Sequence, residues 1–394
     1  MSHKNRPRTA CMIAYANYFT DARIKNYVNT LLKADYEVDV FALGKPEATM
    51  PGLRVFCLMP KVWSKRVLPY IISQVWFLFL AGVRVSATHI KKGYSFIHVH
   101  NMPNLIVMAA LLPKLLGAKV ILDVHDLMPQ AYATKYALSL NHPLIRFLCY
   151  EERISAAFAD HVITVHDLAK ESLVEHDIPA DKISIIMNLG NEAIFRPQPP
   201  RREHAGLVLV YHGTITERLG VDLILDALQQ CRTRCPGIRF RLIGNGDYMS
   251  VVIALIKQYG LEDIIQVKDW VQVEKLPDYL SDADVGVVGM RKYYETYRNW
   301  GLPVKMLEYA AMEIPTIAPR LRVICHYFDE TNAFLYKPDD SSDMAGCIVR
   351  IYQDRKLILQ KKDSLKIFNQ RYNWTAMEKE YLQIVENFEK DKAS

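Results

Sequence analysis

The chain has 394 residues, half of them hydrophobic and 23% charged, which excludes a disordered or fibrous protein and leaves room for two or three domains with buried cores. Its formal net charge of +6 is unevenly placed: Arg54, Lys61, Lys65, Arg66, Arg84, Lys91 and Lys92 fall between Pro51 and His100, where no acid occurs. Such an excess suits an anionic partner, such as a membrane surface, a phosphate or a nucleic acid, and equally a solvated face.

The N-terminal segment is polar and basic, and the apolar run after it is too short for a signal peptide. Cys11–Tyr15 reads as a first strand, and Asp21 to Lys33 as a helix through the spacing of Ile24, Tyr27, Val28 and Leu31. Strands follow at Tyr36–Leu43 and Leu53–Leu58. Val67 to Val83 is nearly uncharged and at the short limit for a membrane span, so a buried or interfacial helix is expected. Phe96–His100 is a strand running into Asn101-Met102-Pro103-Asn104, Leu105–Leu116 is helical, and Lys119–Val124 is a strand that delivers His125-Asp126 at its end. A helix over Pro143 to Phe158 and strands at His161–Val165 and Ile183–Met187 complete the first half.

Asn188 to Arg202, with Pro197, Pro199 and Pro200 beside Arg201 and Arg202, has the composition of a domain linker. The pattern then restarts. Strands are expected at Leu207–Tyr211, Ile238–Ile243, Ile264–Val267, Val285–Val288 and from Thr316, with helices at Val221–Cys231, Met249–Tyr259, Lys275–Ser281 and Pro303–Met312. The tail from Asp343 to Lys390 is mostly helical. Alternating strands and helices predict two doubly wound parallel sheets, whose ligands sit beyond the carboxyl ends of the strands. Seven cysteines without metal-ligand spacing read as reduced thiols of a cytosolic protein.

Three segments at strand ends carry candidate chemistry. In Gly301-Leu302-Pro303-Val304-Lys305-Met306-Leu307-Glu308, Pro303 suits the first helical turn. The N–H groups of Val304 and Lys305 then face an anion, with the Lys305 charge added. Glu308 lies three residues on and can hold two ribose hydroxyls; the spacing alone fits a surface Lys–Glu pair equally well. In His212-Gly213-Thr214-Ile215-Thr216-Glu217-Arg218, Gly213 permits close approach to the backbone and Arg218 can clamp a diphosphate, or be an exposed loop arginine. His125-Asp126 can contact a substrate hydroxyl or transfer a proton, or His125 can be a core histidine. Gly244-Asn245-Gly246 lacks the third glycine of a dinucleotide fingerprint, and no phosphate-loop lysine motif or nucleophile elbow occurs.

Together, His125, the run His212–Gly220, the run Leu242–Asp247 and the run Leu302–Ala318 resemble the family-four, group 1 retaining GT-B glycosyltransferases. Asn188–Pro197 resembles that family's link between domains, and Tyr372–Val385 its last helix. The resemblance implies two Rossmann-like domains facing across a cleft: residues 1–195 on the acceptor side, 196–370 binding the nucleotide-sugar, and 371–394 crossing back to the first domain. It implies that Glu308 binds the ribose, and that Arg218, Lys305 and backbone N–H groups near Gly213, Thr214, Met306 and Leu307 hold the diphosphate. The base would sit near Trp270 and Val271. His125 and Asp126 would be catalytic, with Asp21, His100 and Asn101 on the acceptor side. No cofactor and no metal is implied, and Asp282-Ala283-Asp284, a D-x-D metal pattern in another glycosyltransferase fold, is explained here by a helix end and a strand start.

The sequence departs from the family where a second sugar-contacting Glu is usual: Trp300 stands there, beside Asn299. The expected activity is retaining transfer from a nucleotide-diphosphate sugar to a lipid-linked or polysaccharide acceptor in cell-surface glycan synthesis. The expected location is cytoplasmic, peripheral on an anionic inner membrane face, without nucleic acid. A sugar-nucleotide epimerase and a non-catalytic nucleotide-binding subunit are the alternatives.

Overall fold

The computed structural model describes residues 8–60, 67–198, 206–292 and 300–393. Lys61, Lys65 and Arg66, Pro199 to Arg202 and Asn299 therefore lie outside the described residues. The chain divides into two compact units, residues 1–188 with 375–394 and residues 189–374.

The first unit is a seven-stranded parallel sheet of β1 (Arg8–Asn17), β2 (Tyr36–Leu43), β3 (Leu53–Met59), β4 (Phe96–His100), β5 (Lys119–Val124), β6 (His161–Thr164) and β7 (Ile183–Ile185). Its order is β3-β2-β1-β4-β5-β6-β7, which reverses direction at β1 and β4. The inner strands β1, β2, β4, β5 and β6 are largely buried because helices cover both faces, whereas the edge strands β3 and β7 are mostly half-buried. The helices are α1 (Ala22–Lys33), α2 (Val67–Lys92), α3 (Leu111–Leu115), α4 (Met128–Lys135), α5 (Pro143–Phe158) and α6 (Asp167–Glu175). The apolar segment expected as a short helix is thus 26 residues long. The one expected over Leu105–Leu116 is a 3-10 turn, Asn104–Ala110, running into α3. The C-terminal helix, Trp374–Ala393, belongs mostly to this unit: Tyr381 bonds His98 Nδ1 at 3.0 Å and Glu378 accepts from Thr30 at 2.9 Å.

The second unit holds a six-stranded parallel sheet of β8 (Val208–His212), β9 (Arg239–Ile243), β10 (Ile265–Lys268), β11 (Val285–Val287), β12 (Thr316–Pro319) and β13 (Ala333–Tyr336), ordered β10-β9-β8-β11-β12-β13. It carries α7 (Val221–Cys231), α8 (Met249–Gln258), α9 (Leu276–Leu280), α10 (Val304–Ala311), α11 (Arg322–Tyr327), α12 (Ser341–Gln353) and α13 (Lys356–Arg371). The α7 face Val221, Ile224, Leu225 and Leu228 meets β9 and α12 in one core. That spacing of three, one and three residues is what a one-sided helix requires.

Candidate active site

In the second unit the strand ends meet through backbone contacts. Gly213, after β8, donates to Ile243 O, and Gly244, after β9, donates to Lys268 O, each at 2.9 Å. A Cβ on Gly244, whose φ is +140°, would run into the carbonyl of Gly213, so only glycine lets these loops touch. Likewise Gly220 and Gly289 lie so close that a Cβ on either would strike the other's carbonyl, which seats the Arg218 turn against the end of β11.

Lys305 and Glu308 project from the first turns of α10 into this corner. Lys305 Nζ lies 3.6 Å from the centroid of the Tyr211 ring, and a Cβ on Gly213 would come within 3.5 Å of it. Glu308 Oε2 lies 3.3 Å from His212 Nε2. The helix is held by Tyr309, whose hydroxyl accepts the His212 N–H and donates to Val210 O, both at 3.2 Å. Burial lowers Lys305 to about 7 against the pull of Glu308, and raises Glu308 to about 7 against the pull of Lys305. Burial and the Lys305 charge push His212 down to about 3, so its imidazole is neutral.

Three expectations change here. Pro303 is the N-cap of α10, with extended backbone, and does not sit in the first turn. The Met306 N–H donates to Pro303 O at 2.9 Å and so is no free donor for a phosphate; Val304 and Lys305 hold the two positions whose N–H groups lack helical partners. Val271 is partly buried against the core around Val208, Val210 and Phe195, whereas Trp270 is 66% exposed. Arg218 and Thr214 are exposed. His212, not singled out in its motif, lies beside the Glu308 carboxylate; its signal is its place as the last residue of the strand. Both D-x-D acids are engaged in structure. Asp282 pairs with Arg241 at 2.6 Å, and Asp284 accepts from Val208 N–H at 2.8 Å and Arg355 at 3.2 Å.

In the first unit His125 follows β5. Its N–H and that of Asp126 reach Asn101 Oδ1 at 3.2 and 3.4 Å, and Asn101 Nδ2 returns a bond to Asp126 O at 2.6 Å. Asn101 thus holds the His125 turn and has no amide group left over for an acceptor. Asn101 Nδ2 also donates to Asn104, which donates to Glu151 on α5 at 2.9 Å. Asp126 itself is exposed.

Behind His125 lies a buried ionic group. Arg23 grips Asp123 through Nε and Nη2, both at 2.8 Å, and His100 Nδ1 lies 3.2 Å from Asp123 Oδ2. Burial alone would raise Asp123, but Arg23 and His100 hold it well below the usual carboxylate range. Burial and the neighbouring His98 lower His100 to about 4, so it donates to Asp123 as a neutral imidazole. His125 Nδ1 stands 4.0 Å from the same oxygen. His100 is thus buried, 1% exposed, beside Asp123. Asp21 is likewise occupied, as the N-cap of α1, accepting from Ile24 N–H at 3.0 Å. Asp123, Arg23 and His98 were not singled out; Arg23 and Asp123 are 100 residues apart and no local pattern joins them. His98, His100 and Asp123 bring ligand-type atoms within 4.8 Å of one another. A cation there would face the Arg23 guanidinium, which already occupies both carboxylate oxygens, so this group does not fit a metal.

Two parallel α/β sheets with charged groups at their strand ends are the arrangement found in GT-B glycosyltransferases, and the solved structures this chain resembles have that fold. Sucrose-phosphate synthase from Thermosynechococcus elongatus shares it with a TM-score of 0.76 at 20% identity, covering 98% of this chain and 100% of that one. HepE of Anabaena, solved in complex with UDP, does so with a TM-score of 0.70 at 14% identity, covering 96% and 100%. The family described as glycosyl transferases group 1 matches residues 206–354, and glycosyltransferase family 4 matches residues 22–189. The chain belongs to the group 1 glycosyltransferases and is an enzyme of that class. The chitobiosyldiphosphodolichol beta-mannosyltransferase of Debaryomyces hansenii is 26% identical over 321 residues, covering 72% of this chain and 67% of that protein.

Proposed function

We propose that this glycosyltransferase moves a sugar, with retention and without a metal, from a nucleotide-diphosphate sugar to a lipid-linked or polysaccharide acceptor in cell-surface glycan assembly. The observation that carries the donor half is the Lys305–Glu308 pair at the start of α10, facing the bare backbone of Gly213. Lys305 and the first N–H groups of α10 receive the diphosphate, Arg218 adds a second cation, and Glu308 accepts two ribose hydroxyls. These cations stabilise charge on the leaving diphosphate, the work that a metal does elsewhere. Trp270 offers its face to the base. His125, oriented by Asn101 and backed by the Asp123 charge, is assigned to the transferred sugar and its acceptor. Two likenesses support the reading: HepE binds UDP, and the Debaryomyces relative is named for a diphosphodolichol-linked substrate. Peripheral attachment to a membrane belongs to the same reading.

A thermal-shift screen with UDP, GDP, ADP, CMP and their sugar conjugates, with and without magnesium, tests it. Ligands that bind only the folded state raise its stability with the logarithm of their concentration. One nucleotide diphosphate is expected to raise the melting temperature, equally with and without magnesium, and Glu308→Ala to abolish the shift. No shift with any of them would overturn the donor assignment.

Binding is also expected to take up protons. Lys305 sits at about 7 in the free site. A neighbouring diphosphate favours its charged form, so the bound value is higher, and affinity falls as pH rises above the free value. Calorimetry in two buffers of different ionisation enthalpy, near pH 8, should show uptake approaching about one proton per nucleotide. Lys305→Met should remove it.

A further inference from the structure

The outer layer of a helix-covered sheet is ordinarily polar, and on one face of the first unit it is not. Right-handed crossovers put α2, the Asn104–Leu115 segment and α5 on the sheet face opposite α1. The three pack in sequence, with the turn at Asn104–Ala110 touching both α2 and α5. On α2 the residues Phe77, Ala81 and Val85 are buried, a stripe at helical spacing that fixes the helix flat on the sheet. The opposite stripe, with Leu68, Ile72, Val75, Trp76 and Phe79, is more than half exposed at every position. The next element exposes Leu111, Leu115 and Leu116, and α5 exposes Phe147 and Tyr150. Scattered exposed apolar residues need no account, but a row across three adjacent helices does.

The charge of this layer selects its occupant. Between Ala48 and Leu122 the chain has nine Lys or Arg residues and no Asp or Glu. Arg84 and Lys91 on α2 and Arg146 on α5 are exposed, while both acids of α5, Glu151 and Glu152, are buried. An apolar surface carrying exposed cations and no exposed acid on its helices matches the headgroup boundary of an anionic bilayer. A protein partner would not need the acids removed from so long a stretch.

We propose that α2, α3 and α5 form one monotopic docking face that sinks its apolar side chains into the headgroup boundary of an anionic bilayer, with α2 lying parallel to the surface. Among the described residues, Leu68–Lys92 is the one helix long and apolar enough to cross a membrane. Its buried stripe against β1 and β3 holds it to the domain instead. This deepens the lipid-linked acceptor reading above: a face that docks on lipid brings the first unit to acceptors anchored there.

The test uses the full chain and vesicles of phosphatidylcholine with and without phosphatidylglycerol. The protein should float with the anionic vesicles, and Leu115→Glu and Phe147→Glu should each weaken partition about tenfold or more, the factor that burial of one large apolar side chain is worth. Brominated lipids should quench the tryptophan fluorescence of the wild type and quench that of a Trp76→Phe variant less. Alkaline carbonate should release the protein. Resistance to carbonate would mean a spanning α2 and overturn the proposal. So would partition unchanged in both charge variants, or a dimer that both variants dissociate without any vesicle binding, which would make a second copy the occupant. The nucleotide thermal shift is measured in parallel. A shift kept in the absence of vesicle binding sinks the docking face alone, whereas a missing shift with vesicle binding sinks the donor reading alone.

Discussion

Lys305→Ala is expected to lower kcat/KM by ~10²–10³, because a preorganised charge aimed at a leaving group contributes several kcal/mol to the transition state. The loss should fall mainly on kcat, since negative charge on the diphosphate grows as the glycosidic bond breaks. The same substitution should leave the free protein as stable as before, or more stable. In the free site burial disfavours the ammonium over Tyr211 against the pull of Glu308, and a cation taken out of water costs stability that the pair only partly offsets. Lys305→Met keeps the stem's packing and should raise the free enzyme's urea midpoint while losing as much activity. Steady-state kinetics beside urea denaturation checks both halves. An activity loss that tracks a stability loss would mean that Lys305 serves the fold.

Asp123→Asn is the second large effect. It preserves shape but leaves the Arg23 guanidinium, 5% exposed, without its counter-charge. Breaking a buried pair from one side typically costs ~3–5 kcal/mol. The urea midpoint should fall accordingly, and replacing both partners by apolar residues should recover much of the loss. The pH dependence has a definite sign. Asp123 is depressed in the folded state, so its contribution is present above the unfolded carboxylate value and disappears as pH falls below it. The wild type should lose more stability than Asp123→Asn between pH 5 and 3, a window of roughly the ordinary carboxylate range.

Much of the fold was legible because each strand is a short apolar run that stops at polar residues. Tyr36–Leu43, Phe96–His100 and Lys119–Val124 fall where the pattern places them. β13 was not foreseen, although Ala333–Tyr336 is, like the strands that were, a short apolar run ended by a charged residue, Lys337. The neighbourhood of Lys305 and Glu308 was legible because both lie on one helix, and residues three apart along a helix are neighbours whatever the rest of the chain does. The first unit's site was not legible to the same degree. Asp21, His100 and Asn101 stand after or at the ends of strands, as ligand-binding residues do, but position along a strand does not say where a side chain turns. Their partners, the Ile24 amide, Asp123 and the His125–Asp126 backbone, settle that. Two of the three come from β5 and the turn that follows it.

The backbone-to-backbone joins of the second unit, Gly213 with Gly244 and Gly220 with Gly289, fix the outline of the proposed donor corner. Loops seamed through their main chains keep their outline whatever side chains surround them, and a side chain introduced at Gly220, Gly244 or Gly289 would force the seam open. On the proposed donor reading, preference among nucleotides and sugars is a matter of what projects from a fixed rim, with Arg218 and Trp270 as the residues to exchange. An engineer would hold the glycines constant and vary the rim.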